Sequence, residues 1–137
     1  MTLISHMNEC VFCKIIKGEL NCYRIYESDD VIAFLDINPR AEGHTLIVPK
    51  RHVEKLEELN EKELVSLFKA VKEVTSLILS KLNAEGYNLL INTGKVAGQI
   101  IPHLHIHILP RRKGDIGIKI PPVIEVDLQE IHKKLVN

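Results

Sequence analysis

Three histidines alternate with apolar residues near the carboxyl end of the chain, in the run His103-Leu104-His105-Ile106-His107-Ile108-Leu109. A period of two is typical of a β-strand, on which alternate side chains point to opposite faces. The run therefore predicts a strand over residues 103–109, with Leu104, Ile106 and Ile108 in the core and the imidazoles facing a cleft. Three interpretations suit this face: a solvated surface, the ligands of one metal ion, or nucleophilic catalysis by the central imidazole while its neighbours bind an anion.

The composition restricts the class of protein. The 137 residues are 45% hydrophobic and 26% charged, with 18 basic residues balancing 18 acidic ones, which is typical of one soluble domain. The neutral balance argues against a nucleic-acid or membrane-surface binder, because such proteins need a basic face. No apolar run reaches the roughly 18 residues of a transmembrane helix. The start lacks a signal-peptide pattern, so we expect a cytoplasmic protein with a leader or disordered N-terminus at 1–7 and one domain over 8–137.

Hydrophobic periodicity predicts the other elements. The one long helix begins at Asn60, with Glu63 at the capping-box position. Its predicted core stripe is Leu64, Phe68, Val71, Val74, Ile78 and Leu82. Strands are predicted at 23–27, 31–36, 45–48, 87–92 and 103–109, and short terminal helices at 10–18 and after Asp127. Because the strands are mostly adjacent in sequence, the pattern indicates an α+β fold with a largely antiparallel sheet of about five strands.

Two of the three cysteines, Cys10 and Cys13, form a C-x-x-C pair. In a protein that is not exported this spacing suggests metal or redox chemistry more than a structural disulfide. No thioredoxin-like βαβ unit follows, which weakens the redox interpretation, and a zinc site needs two further ligands. Cys22 stands alone and is predicted to be a small apolar filler.

The histidine run has a recognisable context. With Gly98 and Gln99 it forms Gly-Gln-x-x-x-His-x-His-x-His, which resembles the signature of the histidine-triad (HIT) nucleotide hydrolases and transferases. Other blocks resemble the family in the same order along the chain between Cys10 and Arg111, among them Ala-Phe-Leu-Asp-Ile at 33–37 and Pro-Lys-Arg-His at 49–52. The resemblance implies a HIT-like fold.

The resemblance also implies catalytic roles. The middle histidine of the family attacks the α-phosphorus of a nucleotide, so His105 would be the nucleophile. His107, the Gln99 side chain and backbone N–H groups near Gly98 would bind the phosphate. His44 matches a histidine that lies near the triad and would orient it. A histidine at 107, where the related transferases have glutamine, favours hydrolysis over transfer.

A nucleotide pocket is implied in the same way. Asp36 would accept hydrogen bonds from the ribose hydroxyls, and Asn92 would contact the ribose and phosphate. Five apolar residues match positions that line the base pocket: Phe12, Ile15, Phe34, Ile37 and Leu46. Without the resemblance, these residues would be interpreted as turn residues and ordinary core. One departure is Ile100, at a position where the family often has a Ser or Thr that touches the phosphate.

In the HIT branch that carries the cysteine pair, the resemblance implies a structural zinc ion held by Cys10, Cys13, His52 and His103. Two thiolates and two imidazoles would close a tetrahedral site, and His103 would face away from the substrate. Two rival hypotheses stay open. One is a non-catalytic, zinc-stabilised nucleotide-binding module, and the other is a metalloenzyme with one open-site metal among the three histidines of the run.

The resemblance thus implies a homodimeric hydrolase that acts at the α-phosphate of a purine nucleotide derivative through a nucleotidyl-histidine intermediate. The substrate would be a nucleoside phosphoramidate or a dinucleoside polyphosphate, and neither nucleic acid nor membrane is expected as a partner. Residues 112–137 carry no motif and are expected to form a variable C-terminal tail.

Overall fold

The computed structural model describes residues 10–136, so the expected leader at 1–7 lies outside the described residues. Along them follow α1 Val11–Ile16, β1 Arg24–Glu27, β2 Val31–Leu35, β3 Thr45–Pro49, α2 Glu61–Leu82, β4 Gly86–Leu90, β5 Ile106–Arg111 and α3 Leu128–Val136. Short 3-10 helices lie at Leu56–Glu58 and Lys95–Ala97. The predicted α+β class, with one long helix and short terminal helices, is confirmed.

The five strands form one sheet in the order β1-β2-β3-β5-β4, and every neighbouring pair is antiparallel. β5 lies between β3 and β4 although it is the last strand in sequence. Its neighbours place Leu46 and Leu90 opposite His107. Since paired residues share a face of the sheet, this imidazole lies between two apolar side chains.

The middle strands are buried on both faces. Val31 and Ala33 of β2 pack in one core cluster with α2, whereas Ile32 and Phe34 pack in a second cluster with α1. On β5, Ile106 and Ile108 belong to the cluster with α2, as the period of two predicts. The face that carries His107 is therefore the face covered by α1.

Helix α2 begins as predicted. The Asn60 side chain accepts the Glu63 N–H at 2.8 Å, and the Glu63 carboxylate accepts the Asn60 N–H at 3.0 Å, which completes the capping box. The predicted stripe is wrong at one position, because Phe68 is 41% exposed whereas Leu67 is fully buried. The helix turns Leu67 towards the sheet, on the same face as Val71, Val74 and Ile78.

The histidine run is only partly a strand. β5 begins at Ile106, later than the predicted start at 103. The Leu104 N–H donates to the carbonyl of Val53 at 2.7 Å instead of joining the ladder, and Pro102 has no N–H to donate. His103 therefore lies in the loop before the strand and outside the ladder.

The chain after β5 lies on the surface. Residues 113–136 are exposed, and the predicted C-terminal helix is present as α3. Its apolar side chains Leu128, Ile131 and Leu135 are exposed. Within residues 10–136, no helix combines the length and apolar character that crossing a membrane requires.

Candidate functional site

A cavity of about 650 Å³ opens beside β5 on the face covered by α1. Most of the residues that the resemblance assigned to nucleotide binding and catalysis line it: Phe12, Ile15, Phe34, Asp36, Ile37, His44, Leu46, Asn92, Gly98, His105 and His107. The aromatic rings of Phe12 and Phe34 meet edge to face with centroids 5.7 Å apart. The apolar core of the α1 cluster thus continues into the cavity wall.

His105 is held by a backbone acceptor. Its Nδ1 lies 2.7 Å from the carbonyl oxygen of His103. A carbonyl oxygen only accepts, so Nδ1 donates its proton and Nε2 keeps a lone pair. Burial lowers the pKa of His105, although the hydrogen bond to His103 and the charge of Asp36 oppose the shift. The imidazole is therefore neutral at pH 7.

A second hydrogen-bond chain fixes the neighbouring imidazoles. The Arg40 N–H donates to His44 Nδ1 at 3.0 Å, so the proton of the neutral His44 ring lies on Nε2. This atom is 2.9 Å from His107 Nδ1 and donates to it, which leaves the proton of His107 on Nε2. Burial is the main cause that lowers the pKa of His107, to about 4, and the pKa of His44 is lowered by burial as well. His107 thus offers a neutral N–H donor.

The polar rim of the cavity is partly fixed by local contacts. One oxygen of Asp36 accepts the Asn38 N–H at 2.8 Å, and the other lies 3.5 Å from His44 Nε2. Gly98 has a φ of 97°, which lies in the left-handed region that favours glycine. A Cβ at this position would lie 3.7 Å from the side-chain nitrogen of Asn92. Gly98 therefore lines the cavity with backbone atoms alone.

The Gln99 side chain is held by the backbone on two sides. Its side-chain oxygen accepts the Gly94 N–H at 2.8 Å, and its side-chain nitrogen donates to the carbonyl of Glu54 at 3.1 Å. Both polar atoms are engaged with the backbone, and the residue does not line the cavity. In this structure the Gln99 side chain holds the loop around Gly98, and its role as a phosphate-binding amide stays a prediction.

The four residues expected to bind zinc come together behind the cavity. Cys10 and Cys13 belong to the start of α1, and His52 and His103 reach them from the loops after β3 and before β5. One ligand atom from each residue lies within 4.8 Å of all the others. Cys13 Sγ lies 3.2 Å from His52 Nδ1 and 3.6 Å from His103 Nδ1, and Cys10 Sγ lies 3.4 Å from the latter. Tetrahedral zinc bonds would separate sulfur and nitrogen ligands by about 3.6 Å, so the set fits such an ion.

The hydrogen bonding and burial of these four side chains favour metal binding. The Nε2–H of His103 donates to the carbonyl of Pro49 at 2.8 Å, which leaves Nδ1 unprotonated towards the cysteines. Burial raises the pKa of the Cys13 thiol to about 12, and Cys10 adds to the rise. A bound dication would offset the cost of two buried thiolates.

Several cavity residues were not singled out from the sequence. Arg40 lines the cavity from the loop between β2 and β3, and Ile101 lines it just before the histidine run. Cys22, predicted to be a filler, is half-buried in the wall. An exposed loop arginine has no periodic signature, so only its spacing of four residues before His44 could have pointed to it.

The sequence is similar to a known protein family and to several of its members. The family model described as HIT domain matches residues 17–114. An uncharacterised HIT-like protein of Methanocaldococcus jannaschii is 48% identical over 127 residues, which cover 92% of this chain and 98% of that protein. An adenosine 5'-monophosphoramidase of Schizosaccharomyces pombe is 39% identical over 81% of this chain and 80% of its own length. An adenylylsulfatase of Arabidopsis thaliana is 44% identical over 79% of this chain, and the match spans 55% of that protein.

Solved structures agree with the sequence matches. A histidine triad nucleotide-binding protein from Candida albicans is similar with a TM-score of 0.82 and 37% identity, over 93% of this chain and 94% of that chain. A zinc-bound histidine triad family protein from Mycobacterium smegmatis is similar with a TM-score of 0.75 and 36% identity, over 80% of each chain. On these matches and this fold, the chain belongs to the HIT domain family.

Proposed function

We propose that this protein is a nucleotide hydrolase that cleaves at the α-phosphate through a nucleotidyl intermediate on His105. The observation that carries the proposal is the 2.7 Å hydrogen bond from His105 Nδ1 to the carbonyl of His103. It leaves a lone pair on Nε2 of a residue that lines the cavity. A neutral imidazole with a free nitrogen is a competent nucleophile at neutral pH.

The reaction proceeds in two displacements. First, His105 Nε2 bonds to the α-phosphorus while the bond from phosphorus to the leaving group breaks, and an amine leaving group takes a proton from solvent. Then a water oxygen attacks the same phosphorus and gives up a proton to solvent, the phosphorus–nitrogen bond breaks, and a nucleoside monophosphate leaves. The Nε2–H of His107 would donate to the nonbridging oxygens, where charge accumulates. The N–H groups of Gly98 and Gln99 already donate to the carbonyls of Lys95 and Gly94, so a backbone donor near Gly98 would come from the residues that follow Gln99. Ile100 supplies no hydroxyl for this purpose.

The cavity suits a purine nucleotide. Its apolar wall, with Phe12 and Phe34 edge to face, would take the base, and Asp36 would accept from the ribose hydroxyls. The relatives named adenosine 5'-monophosphoramidase and adenylylsulfatase support an adenosine nucleotide as substrate. Their names support an amine or a sulfate as the leaving group, and a dinucleoside polyphosphate would present the same α-phosphate.

A structural zinc ion would occupy the cluster of Cys10, Cys13, His52 and His103. When bound, it would supply cross-linking and charge neutralisation rather than a reactive water, because four protein ligands close its coordination. The cross-link would join the start of α1 to the backbone of His103, which holds His105. The ligand distances and the zinc-bound relative from Mycobacterium smegmatis support this assignment.

The protein is also proposed to be a cytoplasmic homodimer. Tyr87 and Leu89 of the edge strand β4 are exposed, as are Val65, Phe68 and Leu77 of α2. A second copy related by a two-fold axis would cover such apolar side chains and would shield the strand edge. The balanced charge of the chain supports a protein that binds neither nucleic acid nor a membrane surface.

The function is tested by turnover of an adenosine 5'-phosphoramidate and a diadenosine polyphosphate side by side. Wild type should hydrolyse at least one of them, and His105→Asn should lose at least about a thousandfold in rate while it binds AMP within about tenfold of wild type. His132→Asn, which removes an exposed histidine from α3, is the matched control and should keep the wild-type rate. Wild-type turnover by His105→Asn would contradict the mechanism, and nucleotide binding without any turnover would favour the non-catalytic module.

A further inference from the structure

The loop between β2 and β3 places one arginine in the cavity wall. Arg40 lines the cavity, and its backbone N–H donates to His44 Nδ1 at 3.0 Å. Two backbone hydrogen bonds close the loop, from Asp36 N–H to the carbonyl of His44 at 3.0 Å and from His44 N–H to the carbonyl of Ala41 at 3.1 Å. The root of the Arg40 side chain is therefore fixed beside the catalytic imidazoles.

The guanidinium of Arg40 differs from those of its neighbours. Arg111 donates to the Asn88 side chain at 2.9 Å. Arg112 pairs with Glu42 at 3.1 Å, and Glu42 is the other acidic residue of the same loop besides Asp36. Within residues 10–136, the Arg40 guanidinium makes neither a hydrogen bond nor an ion pair. It lines the cavity with all its donors available.

The other described groups of the cavity add no second permanent positive charge to that of Arg40. Burial lowers the pKa of His44, and lowers that of His107 to about 4, so these two imidazoles are neutral at pH 7. Asp36 is the acidic residue of the lining, and Arg40 is the permanent cation of the described lining. The charge of Arg40 also contributes to the lowered pKa of both His44 and His107, which places the guanidinium within electrostatic range of both rings.

We propose that Arg40 forms a subsite for a second anionic group of the nucleotide, a phosphate or sulfate in addition to the α-phosphate. The assignment rests on the proposed function, because it presumes that the α-phosphate lies at His105 and His107. A guanidinium binds such groups through paired, charge-assisted hydrogen bonds. The second anion would be part of the leaving group or a substituent of the ribose.

The row of imidazoles separates this subsite from the reacting phosphorus. Ring centroids are 4.9 Å apart for His105 and His107, and 5.2 Å apart for His107 and His44. The Arg40 backbone contacts the edge of His44 opposite the one that faces His107. The His44 and His107 rings thus lie between the Arg40 backbone and the His105 ring, which suits an anion further along the ligand better than the α-phosphate itself.

Calorimetric titration of a non-reacting variant with three adenine nucleotides tests the subsite. The parent variant is His105→Asn, which prevents turnover, and the ligands are AMP, ADP and adenosine 3',5'-bisphosphate. We expect the parent to bind ADP or the bisphosphate at least about fivefold more tightly than AMP at low salt. Adding Arg40→Gln should bring this ratio close to one, whereas adding Arg40→Lys should keep part of it.

A second arginine variant is the control for the charge of Arg40. Arg112→Gln removes the same charge from outside the cavity and should keep the ratio of the parent. A preference for ADP would place the second anion on the leaving-group side, and a preference for the bisphosphate would place it on the ribose. Equal ratios with and without Arg40→Gln, or no preference in the parent, would overturn the subsite alone. A parent that binds no nucleotide at all would overturn the subsite and the proposed function together.

Discussion

The Nδ1 atom of His105 lies 2.7 Å from the carbonyl oxygen of His103, and the Nδ1 atom of that same His103 lies 3.4 Å from the Sγ atom of Cys10. One residue thus belongs to the candidate metal cluster through its side chain and to the candidate catalytic site through its backbone. Any change that shifts the His103 ring should also shift the acceptor that holds His105. The two sites are therefore expected to respond together.

Removal of both thiols tests the metal cluster. Cys10→Ser with Cys13→Ser should lose one zinc ion per chain and lower the melting temperature by about 10 °C, because metal-binding free energy is folding free energy. Elemental analysis and thermal unfolding measure the two effects. Cys22→Ser, outside the cluster, should retain the metal. Carefully purified wild type that contains no metal would contradict the zinc assignment and would leave the histidine mechanism standing.

Loss of the His44 ring tests the hydrogen-bond chain to His107. His44→Ala should lower kcat/KM by about 10- to 100-fold, because nothing then fixes the tautomer and orientation of His107. His44→Gln should recover part of the loss, since its side-chain amide can donate to His107 Nδ1. Steady-state kinetics of the two variants separate a positioning role from a change in packing. Equal rates for both variants would argue against the donated hydrogen bond.

The pH profile of the free protein tests the state of His105. Its pKa is lowered by burial from the ordinary value of 6.5, and the nucleophile must be unprotonated to react. The value of kcat/KM should therefore fall towards acid pH with a midpoint below 6.5, as His105 gains a proton. An acid midpoint at or above 6.5 would mean that His105 is more solvated than the structure shows.

The role of Asp36 predicts a change in sugar selectivity. Asp36→Asn should weaken binding of AMP by about 10- to 100-fold, because charge-assisted hydrogen bonds to the ribose hydroxyls would be lost. The same substitution should have little effect on 2',3'-dideoxy-AMP, which lacks both hydroxyls. Titration of the two nucleotides against both proteins gives the comparison. An equal loss of affinity for the two ligands would mean that Asp36 positions His44 and the loop through the contacts seen in the structure and does not bind the ribose.

The assembly is measured directly. The chain has a mass of 15.6 kDa, so light scattering should report about twice that value for a homodimer. Phe68→Glu on the exposed side of α2 should shift the population towards the single chain, because a charge would be buried in the contact. A wild-type mass of one chain at micromolar concentration would rule out the dimer.

The fold class was predictable because local signals agreed. The capping box at Asn60 and Glu63 is read from four adjacent residues, and the strand lengths follow from alternation. Other features depend on distant contacts. The choice between Leu67 and Phe68 for the core depends on how α2 faces the sheet. The late start of β5 depends on the hydrogen bond from Leu104 to Val53, 51 positions earlier in the sequence.

Part of the candidate site was likewise predictable from the sequence, and part of it depends on contacts that the sequence does not show. The family resemblance brought Cys10, Cys13, His52 and His103 together, although their spacing alone gives no distance. It did not show that the Gln99 amide is engaged by the backbone at both ends. Arg40 carried no signal besides its spacing from His44, because an arginine in a polar loop looks the same whether it faces solvent or a cavity.

The stereochemistry at phosphorus tests the central claim most directly. A substrate with a chiral α-phosphorothioate can be hydrolysed in isotopically labelled water, and the configuration of the product can be compared with that of the substrate. Two successive in-line displacements, first by His105 and then by water, each invert the phosphorus, so we predict overall retention. Inversion would mean that water attacks the substrate directly, and it would contradict a nucleotidyl intermediate on His105.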